Sequence, residues 1–160
     1  YNNNWYEILA NQNSGNAFIY GFSSSFDVSL IEKIRLHSGL TYTKGFILKD
    51  NIPFGHIPPL IANVSINYTT DNWRYSIFTF FNGFKRIEDF GQANVDNPNE
   101  ATPHGFPNWW TLNGKISYLL NKQLSIMVGC YNALDLHYKT FASGISSPGR
   151  SLLVSFKLSY

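Results

Sequence analysis

The decisive stretch is LIANVSINYT, residues 60–69. Leu60, Ala62, Val64, Ile66 and Tyr68 occupy one parity, Asn63, Ser65, Asn67 and Thr69 the other, and only Ile61 breaks the pattern. Successive side chains of a strand point to opposite faces, so this is a strand with one apolar and one polar side. The same period recurs along the chain. Phe18, Tyr20, Phe22, Phe26 and Val28 stand against Ala17, Ser23, Ser25 and Asp27, and Ile34, Leu36, Leu40 and Tyr42 against Lys33, Arg35, His37, Thr41 and Thr43. Trp73, Tyr75, Ile77 and Phe81 oppose Arg74, Ser76 and Asn82, with Phe78 and Phe80 blurring the polar side. Trp110, Leu112, Ile116 and Tyr118 oppose Thr111, Asn113, Lys115 and Ser117, and Leu124, Ile126, Val128 and Cys130 oppose Gln123, Ser125 and Gly129. The final segment sets Leu152, Val154, Phe156, Leu158 and Tyr160 against Ser155, Lys157 and Ser159. No helical stripe competes, and the expectation is an all-β chain of about seven antiparallel strands, each about 10–13 residues long.

The connections alternate in length. Short turns are expected at residues 28–32, 70–72 and 120–122, and long loops rich in Gly, Pro and Asn at 45–59, 85–108 and 133–149. Strands in soluble sandwiches usually run about 5–6 residues. Strands of about 9–11 residues or more, with turns at one end and long loops at the other, fit a transmembrane β-barrel. Such a barrel pairs every backbone group, as lipid requires. Lys33, Arg35, Lys115 and Lys157 all fall on the polar parity, where the lumen is wet. Aromatic residues gather at both strand ends: Tyr68, Trp73, Tyr118 and Tyr160 by the turns, Tyr42, Phe84, Trp109 and Trp110 by the loops. That is the distribution of two interfacial girdles. A soluble barrel or sandwich with a filled core predicts the same alternation.

Composition narrows the classes. The 160 residues are 17% aromatic and only 14% charged, with a formal charge of +2. That charge is too small and scattered for a nucleic-acid partner. No apolar run of about 18 residues exists, so no helix is expected to span a bilayer. A single cysteine, Cys130, forms no internal disulfide. The chain starts at Tyr1 rather than Met, as expected of a processed product or a fragment.

Five stretches resemble the C-terminal end of TonB-dependent receptors of the Bacteroidetes type: NQNSGNAFIYGFS (11–23), HIPPLIANVSINY (56–68), FFNGFKRIEDF (80–90), ATPHGFPNWWTLNGKISY (101–118) and YNALDLHYKTFASGISSPGRSLLVSF (131–156). The resemblance implies a 22-stranded barrel enclosing an N-terminal plug, a cell outer membrane location, and TonB-driven uptake of a ferric siderophore or haem. Residues 1–160 would form its C-terminal segment, lacking plug and TonB box. Its partners would be membrane lipid, the rest of the receptor, and TonB acting through the missing plug. The odd strand count fits a break in an extracellular loop near residues 1–11. The resemblance also implies that the terminal aromatic Tyr160, with Leu158 and Phe156, is the signal read by the barrel-assembly machinery. The alternatives are a small outer-membrane barrel or adhesin, or a soluble β-sandwich binding module.

No catalytic constellation is present: no GxSxG, no phosphate loop, and no paired acid and base, since Glu88 and Asp89 point apart if extended. No enzyme activity and no cofactor are expected. Pro58 and Pro59 suit a strand entry. Gly21 and Gly83 suit close packing, and Pro148–Gly149 a turn. Asn132 and Asp135 are read as side-chain-to-backbone bonders, and Arg150 as a partner for a loop carboxylate or carbonyl. Asn63 and Asn67, each in an N-x-S/T pattern, are read as ordinary lumen residues. His37 is expected in the lumen, and His56, His104 and His137 in or beside loops, with none at metal-ligand spacing. Lys85, Arg86, Glu88 and Asp89 form a charged cluster above a strand, read as a solvated rim. Lys85 and Arg86, with His56 and His104, are the candidate contacts for an anionic chelate or haem.

Overall fold

In the computed structural model, described over residues 15–159, ten strands account for nearly all regular structure. They are β1 (Ala17–Ile31), β2 (Ile34–Ile47), β3 (Ile52–Pro53), β4 (Ile61–Thr69), β5 (Trp73–Asn82), β6 (Lys85–Arg86), β7 (Gly105–Phe106), β8 (Trp109–Leu119), β9 (Leu124–Tyr131) and β10 (Ser151–Leu158). The seven long strands form one antiparallel sheet in the order β1-β2-β4-β5-β8-β9-β10, with β3 added beside β2. Each pairs with its neighbour in sequence, the meander of an up-and-down barrel, and the described sheet is open along β1 and β10. Residues 11–14 of the first family-like stretch, the expected break near 1–11 and Tyr160 lie outside the described residues.

Cross-strand partners share a face, so the register assigns every side chain. One face carries Leu36, Ile66 and Ile77 in a row, then Gly114, Cys130 and Leu152. The other carries His37, Ser65 and Phe78, then Asn113. The apolar face is uncovered: Phe22, Ile66, Ile77, Val128 and Phe156 are between 49% and 69% exposed. The polar face hides Ser76, Thr111 and Asn113 instead. A soluble domain rarely leaves more than a few hundred Å² of contiguous apolar surface bare. This sheet is inside out, and lipid is the solvent that fits it.

The short turns are built locally. Thr70 Oγ1 accepts from the Trp73 amide at 3.0 Å, and Asn121 Oδ1 accepts from Gln123 and Leu124, both at 2.9 Å. These side chains imitate a backbone turn. The expected turn at 28–32 is narrower, Glu32–Lys33, because β1 runs on to Ile31 through an irregularity after Ser29. Strand lengths also spread more widely than expected, from 8 residues in β9 and β10 to 15 in β1. β1 and β2 are long because their tops rise as a hairpin clear of β4, whose pairing with β2 begins only at Thr41 and Ile61.

Trp73 packs on Tyr118 at 4.5 Å between ring centroids and on Tyr75 at 5.7 Å, and Tyr75 on Tyr68 at 5.9 Å. All four sit on the apolar face by the short turns, one continuous girdle. Trp109, expected in the opposite girdle, faces inward beside Asn82 and stacks on Tyr138 at 4.2 Å. Trp110 takes the outward place, because adjacent residues of a strand cannot share a face.

Candidate functional site

The buried hydrophobic side chains of the described residues, Ile57 and Phe106, lie in the long loops rather than between layers of sheet. Three loops stand at the end opposite the turns: a first at 48–60, a second at 83–108 and a third at 132–150. They lock together over the sheet.

Asp96 makes the first junction. Its side chain is fully buried, and its two oxygens accept from the amides of His56 at 2.7 Å and Gly91 at 2.6 Å. The His56 ring stands 3.8 Å from the same carboxylate. Gly55 and Gly91 meet back to back beside it. A Cβ on Gly91 would collide with the Gly55 Cα, and one on Gly55 with Val95 Cγ2. Gly91→Ala is therefore expected to pry the first two loops apart, by about 1–3 kcal/mol as for other overpacked sites. Faster proteolysis of the loops, with unchanged sheet content by circular dichroism, is the measurement that checks it.

The second junction is aromatic. Phe106 stacks on Phe90 at 5.7 Å and meets Phe141 of the third loop edge-on at 5.6 Å. Asn97 Nδ2 donates to the Ala142 carbonyl at 2.7 Å, and Lys139 pairs with Glu100 at 2.7 Å. The third loop is tied to the wall by Asn132, which takes the left-handed conformation at φ 48°. Its amide donates to Asn113 Oδ1 at 2.9 Å, and its side chain donates to the Leu136 carbonyl at 2.9 Å while accepting from the Leu136 amide at 3.0 Å. Asp135 accepts from the Arg150 amide at 2.7 Å, and Arg150 Nε donates to the Ala133 carbonyl at 2.9 Å. The expected structural roles of Asn132, Asp135 and Arg150 are as drawn. Asn132→Ala keeps the amide bond but removes three side-chain bonds, the two to Leu136 and one to the Pro148 carbonyl at 3.2 Å, together with the preference for positive φ. The expected loss is about 2–4 kcal/mol locally, read as faster amide exchange at residue 136.

The charged cluster departs from its expectation. Lys85 is only 8% exposed and its ammonium lies 5.3 Å over the Phe141 ring, so it is not a solvated rim residue. Burial lowers its pKa, opposed by the nearby Asp89 and Asp96 and reinforced by Lys44. Glu88 and Asp89 lie in a 3-10 turn, Ile87–Asp89, rather than on extended chain. Asp89 turns to Lys44 of β2, at 3.6 Å. Arg86 remains exposed and pairs with Gly105 across the β6–β7 ribbon, and the Ile87 amide donates to the His104 carbonyl at 3.0 Å. The ribbon thus holds Lys85, Arg86 and His104 on one loop, and Asp96 ties His56 to it. The ring of His137 bonds Ser146 at 2.9 Å, and that of His37 faces Asp27 at 3.6 Å on the inner side. Among the described residues no three His, Cys, Asp or Glu side chains converge as a metal site.

Two hollows accompany the loops. One of about 250 Å³ lies between the second and third, among Phe106, Trp109, Leu136, His137 and Tyr138. The other, about 380 Å³, lies at the top of β1 and β2. The sequence reading missed Asp96, the Gly55–Gly91 contact and the Phe90–Phe106–Phe141 cluster.

A transmembrane sheet capped by interlocked loops defines the class as an outer-membrane β-barrel. The chain matches the model of the TonB-dependent receptor-like β-barrel over residues 2–133, and it belongs to the TonB-dependent receptor family. It is 36% identical over 83 residues to "Probable TonB-dependent receptor BfrD" of Bordetella pertussis, covering 48% of this chain and 11% of that protein. Among solved structures, the copper transporter OprC superposes with a TM-score of 0.78 at 18% identity, over 90% of this chain and 24% of that one. The ferric enterobactin receptor PfeA of Pseudomonas aeruginosa gives 0.64 at 17%, over 90% and 22%. The ferric-catecholate import receptor Fiu from E. coli K12 gives 0.63 at 16%, over 89% and 21%. The chain spans about a tenth of the curated relative and under a quarter of these structures. Like its family, it is placed in the outer membrane of Gram-negative bacteria.

Proposed function

We propose that residues 1–160 are the C-terminal part of the barrel of an active outer-membrane transporter, energised by TonB through a plug carried elsewhere in the protein. Its substrate is an iron chelate, a ferric siderophore or haem, and the chain is not an enzyme. The observation that supports this reading best is the interlocked cap. Three loops held by a buried carboxylate and an aromatic cluster form a preorganised rim, which lowers the ordering cost of capturing a scarce ligand. Arg86 and His104, exposed on the β6–β7 ribbon, and His56 in the adjoining loop are the proposed ligand contacts, with Lys85 lending positive charge from behind Phe141. PfeA is a ferric enterobactin receptor and Fiu a ferric-catecholate import receptor, which accords with an anionic chelate. OprC is a copper transporter, and copper is the second reading.

The test is uptake by the intact receptor in cells, using radiolabelled iron chelates, haem and copper. Iron entering as a chelate or as haem, dependent on TonB, is the expected result. Arg86→Ala should raise the half-saturating concentration about ten-fold, the size of one charge-assisted hydrogen bond. Uptake of copper in place of iron, or uptake indifferent to TonB, would refute the reading.

A further inference from the structure

Among the described residues, Lys44 is the one charged side chain at an outward-facing position of the seven long strands. Its height is informative. It lies ten residues above Ile34, the first residue of β2 after the turn. At about 3.3 Å per residue and a tilt of about 40°, ten residues climb about 25 Å, the height of the apolar band of a barrel. Lys44 therefore sits at the top of the hydrocarbon, where headgroups begin.

Its surroundings form a hollow rather than a bare wall. The 380 Å³ cavity is lined by Tyr20, Tyr42, Lys44 and Phe46, all outward-facing, and closed above by Phe54, Phe84, Lys85 and Asp89. β4 joins β2 only from Thr41 downward, and above Lys44 the same edge of β2 is met by the Phe54 amide on the Gly45 carbonyl at 2.9 Å and by β3, so Lys44 stands between the two pairings. Below Lys44 the outward face is aromatic, with Phe22 and Tyr42 6.1 Å apart, and above it Phe18 and Phe46 pack at 5.7 Å. Two ammonium groups face one carboxylate, Asp89, on its lining. Asp96 near Lys85 is already committed to two amides. Lys44 is half exposed despite its bond to Asp89, so its remaining donors are open. Lys85 is held short of water, its pKa lowered by burial, which favours an anion arriving beside it.

We propose that this hollow binds the phosphorylated headgroup of an outer-leaflet lipid. Lys44 donates to the phosphate, Lys85 supports it electrostatically from behind, Tyr20 and Tyr42 line the same hollow, and the acyl chains run down the outward face below. Basic pockets at membrane interfaces recognise lipid headgroups in this manner. A soluble anion is the less apt occupant, because an apolar outward wall of Phe22, Tyr42 and Leu40 continues beneath Lys44. The assignment rests on the outer-membrane placement and is independent of what the receptor transports.

The experiment is native mass spectrometry of the full-length receptor, delipidated in detergent and titrated with bisphosphorylated lipid A. The expected result is one retained lipid molecule, with occupancy about ten-fold lower in Lys44→Gln and preserved in Lys44→Arg. Retention should survive millimolar inorganic phosphate. Equal retention by wild type and Lys44→Gln, displacement by free phosphate, or no retention at all would overturn the proposal. If Lys44→Gln loses its heat-modifiable mobility, a sign that the barrel has not formed, Lys85→Met takes its place and is held to the same ten-fold criterion.

Discussion

Asp96→Ala is expected to unfasten the loops while leaving the barrel wall intact. The wild-type carboxylate is fully buried and accepts two amide bonds, from His56 at 2.7 Å and Gly91 at 2.6 Å. Removing it deletes two hydrogen bonds to a charged group, each worth about 1.5–3 kcal/mol, and leaves two part-buried donors without their partner. The junction between the first and second loops should weaken by about 3–5 kcal/mol. At 1.36 kcal/mol per decade, amide exchange at residues 56 and 91 should accelerate about two to four orders of magnitude. Amides of β5 and β8 should exchange as before, since local opening need not involve the sheet. Asp96→Asn should fall between the two. One amide oxygen still accepts, while the NH₂ faces a donor. Unchanged exchange in Asp96→Ala would show that the loops are held by the Gly55–Gly91 contact and the aromatic cluster alone.

The second large effect concerns the wall. Ile77 lies mid-strand in β5, outward and 62% exposed, between Ile66 and Gly114. In a soluble sheet, Ile77→Arg would be harmless or would improve solubility. In a lipid-facing wall it should cost about 2–4 kcal/mol, as measured for cations at a bilayer midplane. The expected outcome is a sharply reduced yield of heat-modifiable, folded receptor in the outer membrane. Ser155→Arg, at an inward position of β10 opposite Met127, should cost far less. Equal yields of the two variants would contradict the assignment of faces.

How much of this was legible in the sequence follows from the physics of each element. The seven long strands and their faces could be read directly, because the bilayer imposes one strict rule on alternate residues. Leu60–Tyr68 obeys it and lies where expected, as do Lys115 and Lys157 on the inner parity. The turns at 70–72 and 120–122 were legible because Thr70, Asp71 and Asn121 are local turn formers. The loop architecture was not. The Asp96–His56 bond joins residues 40 apart through a backbone amide, which any residue at position 56 would supply. Nothing in the type of either residue announces it. Phe90, Phe106 and Phe141 read as scattered aromatics in an aromatic-rich chain, and only the fold makes them a cluster. Lys85 shows the same limit: its charge is evident in sequence, but its burial comes from Phe141, which lies 56 residues further on. Glu88 and Asp89 left the extended geometry assumed for them because a 3-10 turn follows the β6 ribbon. Arg86, His56 and His104 stay exposed, where a ligand could reach them. Leu158 and Phe156 keep the outward parity expected for them and are exposed on β10.

The central claim is that this sheet crosses the outer membrane with its long loops outside and its short turns within. Single cysteines placed in the full-length receptor, on a Cys130→Ser background, test it most directly in intact cells with a membrane-impermeant maleimide. Cysteines at positions 51, 94 and 144 should be labelled from outside. Those at 71 and 122 should react only after the outer membrane is permeabilised. Labelling of 71 and 122 in intact cells, with 51, 94 and 144 protected, would contradict the account.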